Sequence, residues 1–544
     1  MAALFGIKMP DRRALVYLAG AAVCLWCSSP QWVVPAAAWI GPLFTLRFMR
    51  RYRPVRGAVI VWMVSSAVGI FANKGFVPLP LAGHLIFTPA ASLVAVLPYL
   101  ADRILAPRIK GFRSTLVLPL AYTTLDYAQS FFLNGTILSP AYTQAGNLPL
   151  IQIASVTGVW GITFLLYWFA PVVSWLWDRA GVAGLRGRSM AGAYAYAIIM
   201  ASVLCFGTVR LLLPRPTQTT VRAAGISVDN LAAARAAYGV LYSKPLALPA
   251  EIAPGDPALT QAYLALDAFF QHPDEPKYTP VHRTLDRLYD ELFALSEREA
   301  GAGAKIIAWS EANAWVLKPD EAALIERGRR FARGKQVYLY MTLATFTPGA
   351  APFTGERATM ENKIVAIGPD GNVLSTYLKT KLPVGERSVR GDGRIPVQQT
   401  PYGALAAAIC YDLDTPEFVR QVGQAEAGLM LVPSGDWKAA TPWHPQLAKL
   451  RAIENGFALL RPVSNGLFLA ADQYGRTLGT LDYFSTPVRA MAVTVPVEHV
   501  ATVYTRIGDS FAWTCAAGFI GLLAGCAVAR LRLRLPGRRL QPVT

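Results

Sequence analysis

The chain has 544 residues, too many for one ordinary domain, and it is 53% hydrophobic with only 16% charged residues. Soluble domains carry about 25% charge, so a wholly soluble protein is excluded. The net charge of +18 points first to nucleic acid, but the arginines cluster between apolar segments and no basic strip with interleaved aromatics occurs, so that partner is not expected.

The apolar segments fall near residues 13–29, 32–48, 57–73, 83–100, 115–133, 150–177, 190–213 and 511–529. Each is read as a membrane span, since a crossing needs roughly 17–25 apolar residues. Pro78, Pro80 and Pro98 interrupt the pattern around the third and fourth. Arginines follow alternate spans: Arg47, Arg50, Arg51, Arg53 and Arg56 after the second, Arg103, Arg108 and Arg113 with Lys110 after the fourth, and Arg179, Arg186 and Arg188 after the sixth. The intervening loops carry one charge, Lys74. The positive-inside rule then puts the N-terminus and the basic loops in the cytoplasm and residues 214–510 outside it. The tail, with Arg530, Arg532, Arg534, Arg538 and Arg539, returns inward. Asp11, Arg12 and Arg13 before an apolar run fit a signal peptide, but losing that span would spoil the alternation, so it is expected to stay.

Three units follow: a seven-span membrane domain at 1–215, an extracytoplasmic domain at 216–508, and a final span with a basic tail at 509–544. Short β runs alternate with helical ones between 220 and 505, the pattern of a layered α/β domain. The runs are Lys305–Trp309, Val337–Phe346, Asn362–Ile367, Val373–Lys379, Ala404–Cys410, Gly428–Val432, Phe457–Arg461, Leu467–Ala471 and Val488–Val495. Helices are expected over Thr284–Arg298, Pro319–Arg333, Thr415–Ala425 and Pro445–Asn455, and a loop or insertion over Leu246–Pro280.

Cys24, Cys27, Cys205, Cys515 and Cys526 lie in the expected spans, and Cys410 alone lies in the external domain, so no disulfide framework exists there. A lone thiol in an oxidising compartment is a liability unless buried or used. Glu311, Lys379 and Cys410 each end a separate apolar run, where α/β enzymes collect reactive groups. Taken singly, Glu311 or Lys379 reads as a surface or ion-pair residue; taken together, the three suit acyl chemistry. A thiol needs a base to become a nucleophile, and a cation stabilises the oxyanion.

The segments Ala308-Trp309-Ser310-Glu311, Tyr377-Leu378-Lys379 with Gly385-Glu386, and Ala408-Ile409-Cys410-Tyr411-Asp412 resemble, in that order, the Glu, Lys and Cys signatures of the nitrilase (carbon-nitrogen hydrolase) superfamily. Trp437 and Arg461 with Ser464-Asn465-Gly466 fit the same pattern. Leu148–Gln152, Gly158–Gly161 and Tyr504–Asp509, with the span arrangement, are similar to one branch, the apolipoprotein N-acyltransferase family.

The resemblance implies an αββα sandwich outside the membrane and a two-step transfer without metal or other cofactor. Cys410 would take an acyl chain from a phospholipid donor and pass it to the N-terminal amine of a diacylglyceryl-cysteine apolipoprotein. Glu311 would be the base and Lys379 the oxyanion stabiliser, with Glu386, Tyr411 and Trp437 supporting the site. The implied setting is a bacterial inner membrane with the catalytic domain in the periplasm, and a monomer is the default.

The sequence differs from the family pattern at Asp412, where Glu is usual, in a lysine-to-Glu386 segment one residue shorter, and in Ser434-Gly435-Asp436 before Trp437. The alternative is a membrane-anchored nitrilase-type amidase, or an acyltransferase serving another amine. Among the remaining polar residues, Lys381 reads as a solvated neighbour and Asp126 as a packing or substrate-entrance residue. His444 follows Trp443 near the expected site, and Asn134-Gly135-Thr136 is an incidental acceptor motif.

Overall fold

The computed structural model describes residues 11–77, 79–132, 135–180, 190–213, 219–247 and 256–534, without the side chains at 180 and 530–534. Pro78, Asn134, Arg186, Arg188, Arg538, Arg539 and the expected domain boundary near 215 lie outside the described residues, as do the side chains of Arg530, Arg532 and Arg534.

The apolar segments fold as helices: Arg12–Cys27, Pro35–Arg51, Pro54–Ala72, Leu81–Leu105, Val117–Phe132, Val159–Ala180, Ala191–Leu212 and Ser510–Arg534. Among the described residues, five stretches are long and apolar enough to cross a membrane: Pro54–Ala72, Leu81–Arg108, Val159–Arg179, Ala191–Leu212 and Ser510–Ala529. The helices of the first, second and fifth expected spans have 16, 17 and 16 residues.

The sixth expected span, 150–177, is shorter at its start than the hydropathy suggests. Residues Leu148–Ile151 and Ala154–Thr157 form two short helices, and the long helix begins only at Val159. Gly158 causes the break with a φ of +64°, a conformation that costs a residue with a side chain. A Cβ there would stand 2.7 Å from the Tyr504 ring.

The α/β half is a sandwich of two sheets. One runs in the order Ala490–Pro496, Thr220–Ile226, Ile306–Trp309, Tyr338–Phe346, Met360–Ile367, Val373–Leu378, with Ala314–Leu317 added beside Tyr338–Phe346. The other runs Thr477–Asp482, Leu467–Ala471, Ala458–Arg461, Leu429–Leu431, Gly403–Ala407, Val397–Thr400.

Strand alternation explains the layers. Ile306, Ala308, Tyr338 and Tyr340 face the second sheet, in one core with Leu405 and Leu460. Ile307, Trp309, Leu339 and Met341 face the helices Thr279–Gly301 and Glu321–Lys335, against Leu292 and Leu324. Both faces are covered, so these strands read as continuous apolar runs.

The segment 246–280, expected as a loop or insertion, contains the helix Pro257–Gln271. Asp256 caps it, its side chain accepting from the Ala258 N–H at 2.8 Å, and Pro257 occupies the first turn. Leu259, Ala262, Ala265, Leu266, Phe269 and Phe270 are buried on one face. Two of these positions are alanines, and Leu264 on the other face is exposed, which makes the amphipathic pattern faint in the sequence.

The two halves share one core. Tyr142, Ile151 and Trp160 of the bundle belong to the same buried cluster as Leu413, Trp443, Leu447 and Ile453 of the sandwich. Polar contacts join them as well: the Trp437 indole donates to the Gly75 carbonyl at 2.7 Å and Trp443 to that of Ile137 at 2.6 Å. Gln152 donates to the Tyr474 carbonyl at 2.9 Å, and the Val159 N–H to Glu454 at 2.8 Å. The motifs at 148–152 and 158–161 are therefore among the places where the bundle meets the α/β half.

Candidate active site

The strand Ile306–Trp309 ends at a turn that carries Glu311, and Val373–Leu378 ends immediately before Lys379. The two side chains meet: Lys379 Nζ donates to Glu311 Oε1 at 2.7 Å and to Glu386 Oε2 at 2.5 Å. Lys379 is 2% exposed. Burial pulls its pKa down, but Glu311 and Glu386 outweigh it and hold the ammonium well above its ordinary value. An ammonium has three donors, and these two bonds use two of them.

Glu311 has two further partners. Oε1 accepts from Asn362 Nδ2 at 2.8 Å, and Oε2 from the Gly435 N–H at 2.7 Å. Asn362 also reaches Glu386 Oε1 at 3.3 Å, and Ser388 Oγ donates to that oxygen at 2.7 Å. Burial raises the Glu386 carboxyl, but the Lys379 charge and hydrogen bond prevail and hold it below the ordinary range.

Cys410 opens a tight helical turn, Cys410–Asp414, after the strand Gly403–Ala407. Its φ is +45°, a strained setting for a residue with a side chain and one that recurs where a group is presented to a site. Its N–H donates to the Pro433 carbonyl at 2.9 Å, and Sγ lies 3.7 Å from the Gly435 carbonyl oxygen. Gly435 thus holds Glu311 with its N–H and the thiol with its carbonyl. A Cβ at Gly435 would lie 3.3 Å from Glu311 Oε2, so the close approach favours glycine. Burial, then the Glu311 charge, pushes the thiol well above its ordinary pKa, with Lys379 opposing. The resting thiol is neutral and needs a base.

Asp412 clasps the two sides of the site. Oδ2 accepts from the Ile409 N–H at 2.9 Å and from Tyr377 Oη at 2.7 Å; Oδ1 accepts from the N–H groups of Lys381 at 2.7 Å and Thr380 at 3.2 Å. The acid therefore ties the turn before Cys410 to the segment just after Lys379. Burial raises its pKa to about 6 against these bonds.

Beneath this lies a second charge cluster. Asp436 accepts from Arg461 at 2.8 and 3.0 Å and pairs with His444 Nδ1 at 2.9 Å. Burial raises the Asp436 carboxyl, but Arg461 and His444 drive it far below its ordinary range.

The structure brings Glu311, Lys379, Glu386 and Cys410 to one place, with Tyr411 next to the thiol. Trp437 stands apart from that set, between His444, with ring centroids 5.4 Å apart, and Phe76 of the bundle at 6.4 Å. Sequence reasoning gave Asn362 no role at the site, noted Asp412, Gly435 and Asp436 only as departures, and did not pair Asp436 with Arg461. An asparagine inside an apolar strand was the one available signal for Asn362. It also missed Tyr263, on the helix Pro257–Gln271, whose phenol is pushed up to about 12 by burial and the Glu386 charge. Among the described residues no group of three His, Cys, Asp or Glu side chains is placed to hold a metal ion.

A mainly apolar cavity of about 290 Å³ lies inside the bundle. Its wall runs from Ser28, Asn73 and Trp443 at the end facing the α/β half to Tyr99, Tyr122 and Tyr167 deeper in. Small residues such as Ala22, Gly41, Gly69, Ala91 and Ala95 make the room.

A carbon-nitrogen hydrolase family model matches residues 276–489, and the apolipoprotein N-acyltransferase N-terminal domain model matches residues 21–172. Apolipoprotein N-acyltransferase of Geobacter metallireducens is 25% identical, with 94% of this chain and 96% of the relative covered. The enzyme of the same name from Gloeobacter violaceus is 26% identical, with 92% and 88% covered. A solved amidase from Nesterenkonia sp. is 20% identical, covers 55% of this chain and 97% of its own, and has a TM-score of 0.35. One family model matches the helical half, the other matches the α/β half, and the relatives run through both: the chain is similar to the apolipoprotein N-acyltransferases along nearly its whole length.

Proposed function

We propose that this chain moves a fatty acyl group from a membrane phospholipid, through a thioester on Cys410, to the N-terminal amine of a diacylglyceryl-cysteine apolipoprotein. The observation that carries the reading is the buried Glu311–Lys379–Glu386 cluster joined to the Cys410 turn through Gly435. The membrane cavity that begins at Trp443 suits the acyl chain of a donor whose ester lies at the thiol.

In the first half-reaction, Glu311 takes the thiol proton as Sγ attacks the ester carbonyl carbon. The oxyanion receives the remaining Lys379 hydrogen. Collapse breaks the carbon–oxygen bond, and the lysophospholipid oxygen leaves with the proton from Glu311. In the second half-reaction the acceptor amine attacks the thioester and gives its proton to Glu311. The sulfur leaves, recovers that proton, and an amide remains. Glu386 neutralises and orients Lys379 throughout, Tyr411 flanks the thiol, and Trp437 fixes the loop at the bundle.

We place the membrane domain at 1–215, the catalytic domain at 216–508 on the periplasmic face, and the final span with its cytoplasmic tail at 509–544. The arginine-rich loops support that orientation, and a monomer contains every group the reaction uses.

Purified protein incubated with phospholipid should gain one acyl mass on Cys410, labile to hydroxylamine, and lose it to a diacylglyceryl-cysteine peptide. Hydrolysis of small amides with no acyl adduct would replace this reading with the amidase one. An adduct discharged to a different amine but not to the peptide would overturn the acceptor.

A further inference from the structure

At the end of the bundle remote from Cys410, a second cavity of about 430 Å³ opens between the helices Pro35–Arg51, Leu81–Leu105 and Val159–Ala180 and the connection 106–116. Its wall carries three guanidinium groups, Arg50, Arg103 and Arg179, and two carboxylates, Asp102 and Asp178. Apolar surface from Ala106, Pro107, Ile109 and Trp175 completes it. Such a concentration of charge between membrane helices marks a site where function is expected.

The arginines are braced by neighbouring groups, some of them in the cavity wall. Arg103 Nε donates to the carbonyls of Met49 and Tyr52, each at 3.1 Å. Arg50 donates to Ser174 Oγ at 2.9 Å and to Asp102 Oδ2 at 3.2 Å. Arg179 lies 3.8 Å over the Trp175 ring. Bracing Arg103 through Nε keeps its two terminal nitrogens for a ligand, in the fork geometry that suits phosphate.

Asp102 supplies the second observation. It is fully buried, its Oδ2 is taken by Arg50, and its Oδ1 is buried with no hydrogen-bond partner. Buried carboxylate oxygens are almost always satisfied, so this one awaits a donor. A ligand that meets both requirements has an anionic group for the arginines and an N–H donor for the acid.

The cavity lies where the helices end, at the level of lipid headgroups, and basic pockets between helix ends are known sites for them. The geometry points to the headgroup of an amine-bearing phospholipid. Its phosphate sits on Arg103 and Arg179 and its ammonium donates to Asp102 Oδ1. This lipid belongs to the leaflet away from the catalytic domain, so it is not the acyl donor, and the inference stands whether or not the acyl-transfer reading holds.

The test uses the full chain in nanodiscs with a phosphatidylethanolamine probe, photoreactive near the glycerol end of one acyl chain, and crosslinks mapped by peptide mass spectrometry. Label is expected on residues 103–116 and 171–179, and about tenfold less in the double variant Arg103→Gln, Arg179→Gln. Asp102→Asn should reduce labelling by this probe but not by a phosphatidylglycerol probe. An unchanged thermal unfolding midpoint in each variant reports that the fold is intact. On the wild-type protein, which needs no variant to fold, unlabelled phosphatidylethanolamine should compete about tenfold better than phosphatidylglycerol. Equal competition by the two lipids, label unchanged in the folded double variant, or displacement by inorganic phosphate alone would each overturn the proposal.

Discussion

In the α/β half the buried charges touch one another: Lys379 lies between Glu311 and Glu386, and Asp436 between Arg461 and His444. In the bundle, several buried polar groups instead reach into the other half. Thr136 donates to the Asp414 carbonyl, at the foot of the Cys410 turn, at 2.9 Å, and Gln152 donates to Tyr474. The sandwich is packed around its charges, whereas the bundle keeps a 290 Å³ cavity among small residues. A sheet fixes reacting groups rigidly, because hydrogen bonds tie each strand to its neighbours and side chains pack on its faces. A bundle lined with alanine and glycine leaves space for a chain. The chemistry is thus expected to fail through the sandwich, and substrate fit through the bundle.

Four variants and one alkylation profile of the wild type sharpen or break that division. The largest effect is expected for Cys410→Ala, which should lower acyl transfer by about 10⁴-fold or more, as loss of a nucleophile does, with folding unchanged. Next, Glu311→Gln should lower the rate by roughly 10²–10⁴-fold, the usual share of a general base. In the wild type, burial and Glu311 raise the thiol pKa, so the neutral form prevails below it. Alkylation of Cys410 by iodoacetamide should therefore be slower at neutral pH than for an ordinary thiol and still be rising above pH 9.

The third variant, Asp436→Asn, leaves Arg461 buried without its carboxylate, a loss of about 3–5 kcal/mol readable as a lower unfolding midpoint. The folded pKa of Asp436 is depressed, so its contribution is present above the unfolded value near pH 4 and fades as pH falls through the folded value. The gap between variant and wild type should accordingly narrow in acid. An equal gap at pH 7 and in acid would argue that the pair contributes through packing alone.

The smallest effect belongs to the bundle. Ala95→Leu fills part of the cavity and should shift donor preference toward shorter acyl chains by about tenfold, since a methylene in an apolar pocket is worth roughly 1–3 kcal/mol. Acylation of Cys410 by a short-chain ester should be unaffected. If all chain lengths slow alike, the cavity does not hold the chain.

Much of this was written in local pattern. The strands Ile306–Trp309 and Leu467–Ala471 and the helix Pro416–Gln424 emerge within a residue or two of where their apolar runs and turn residues put them. The faint helix Pro257–Gln271 did not, because two alanines on its buried face and the exposed Leu264 blur the pattern. Gly158 was visible as a glycine but not as a helix break, since hydropathy is blind to φ.

By itself the sequence determined the division into apolar spans and an α/β half, and it named Glu311, Lys379 and Cys410, because polar residues that end apolar strands are conspicuous along the chain. Only the tertiary structure decided that Gly435 joins Glu311 to the thiol, that Asp412 clasps the cysteine turn to the lysine segment, and that Asp436 is held by Arg461 and His444. Most of those contacts join residues tens to more than a hundred positions apart, often through backbone N–H and carbonyl groups. Every residue but proline carries both of these groups, so no residue type announces which of them will be used.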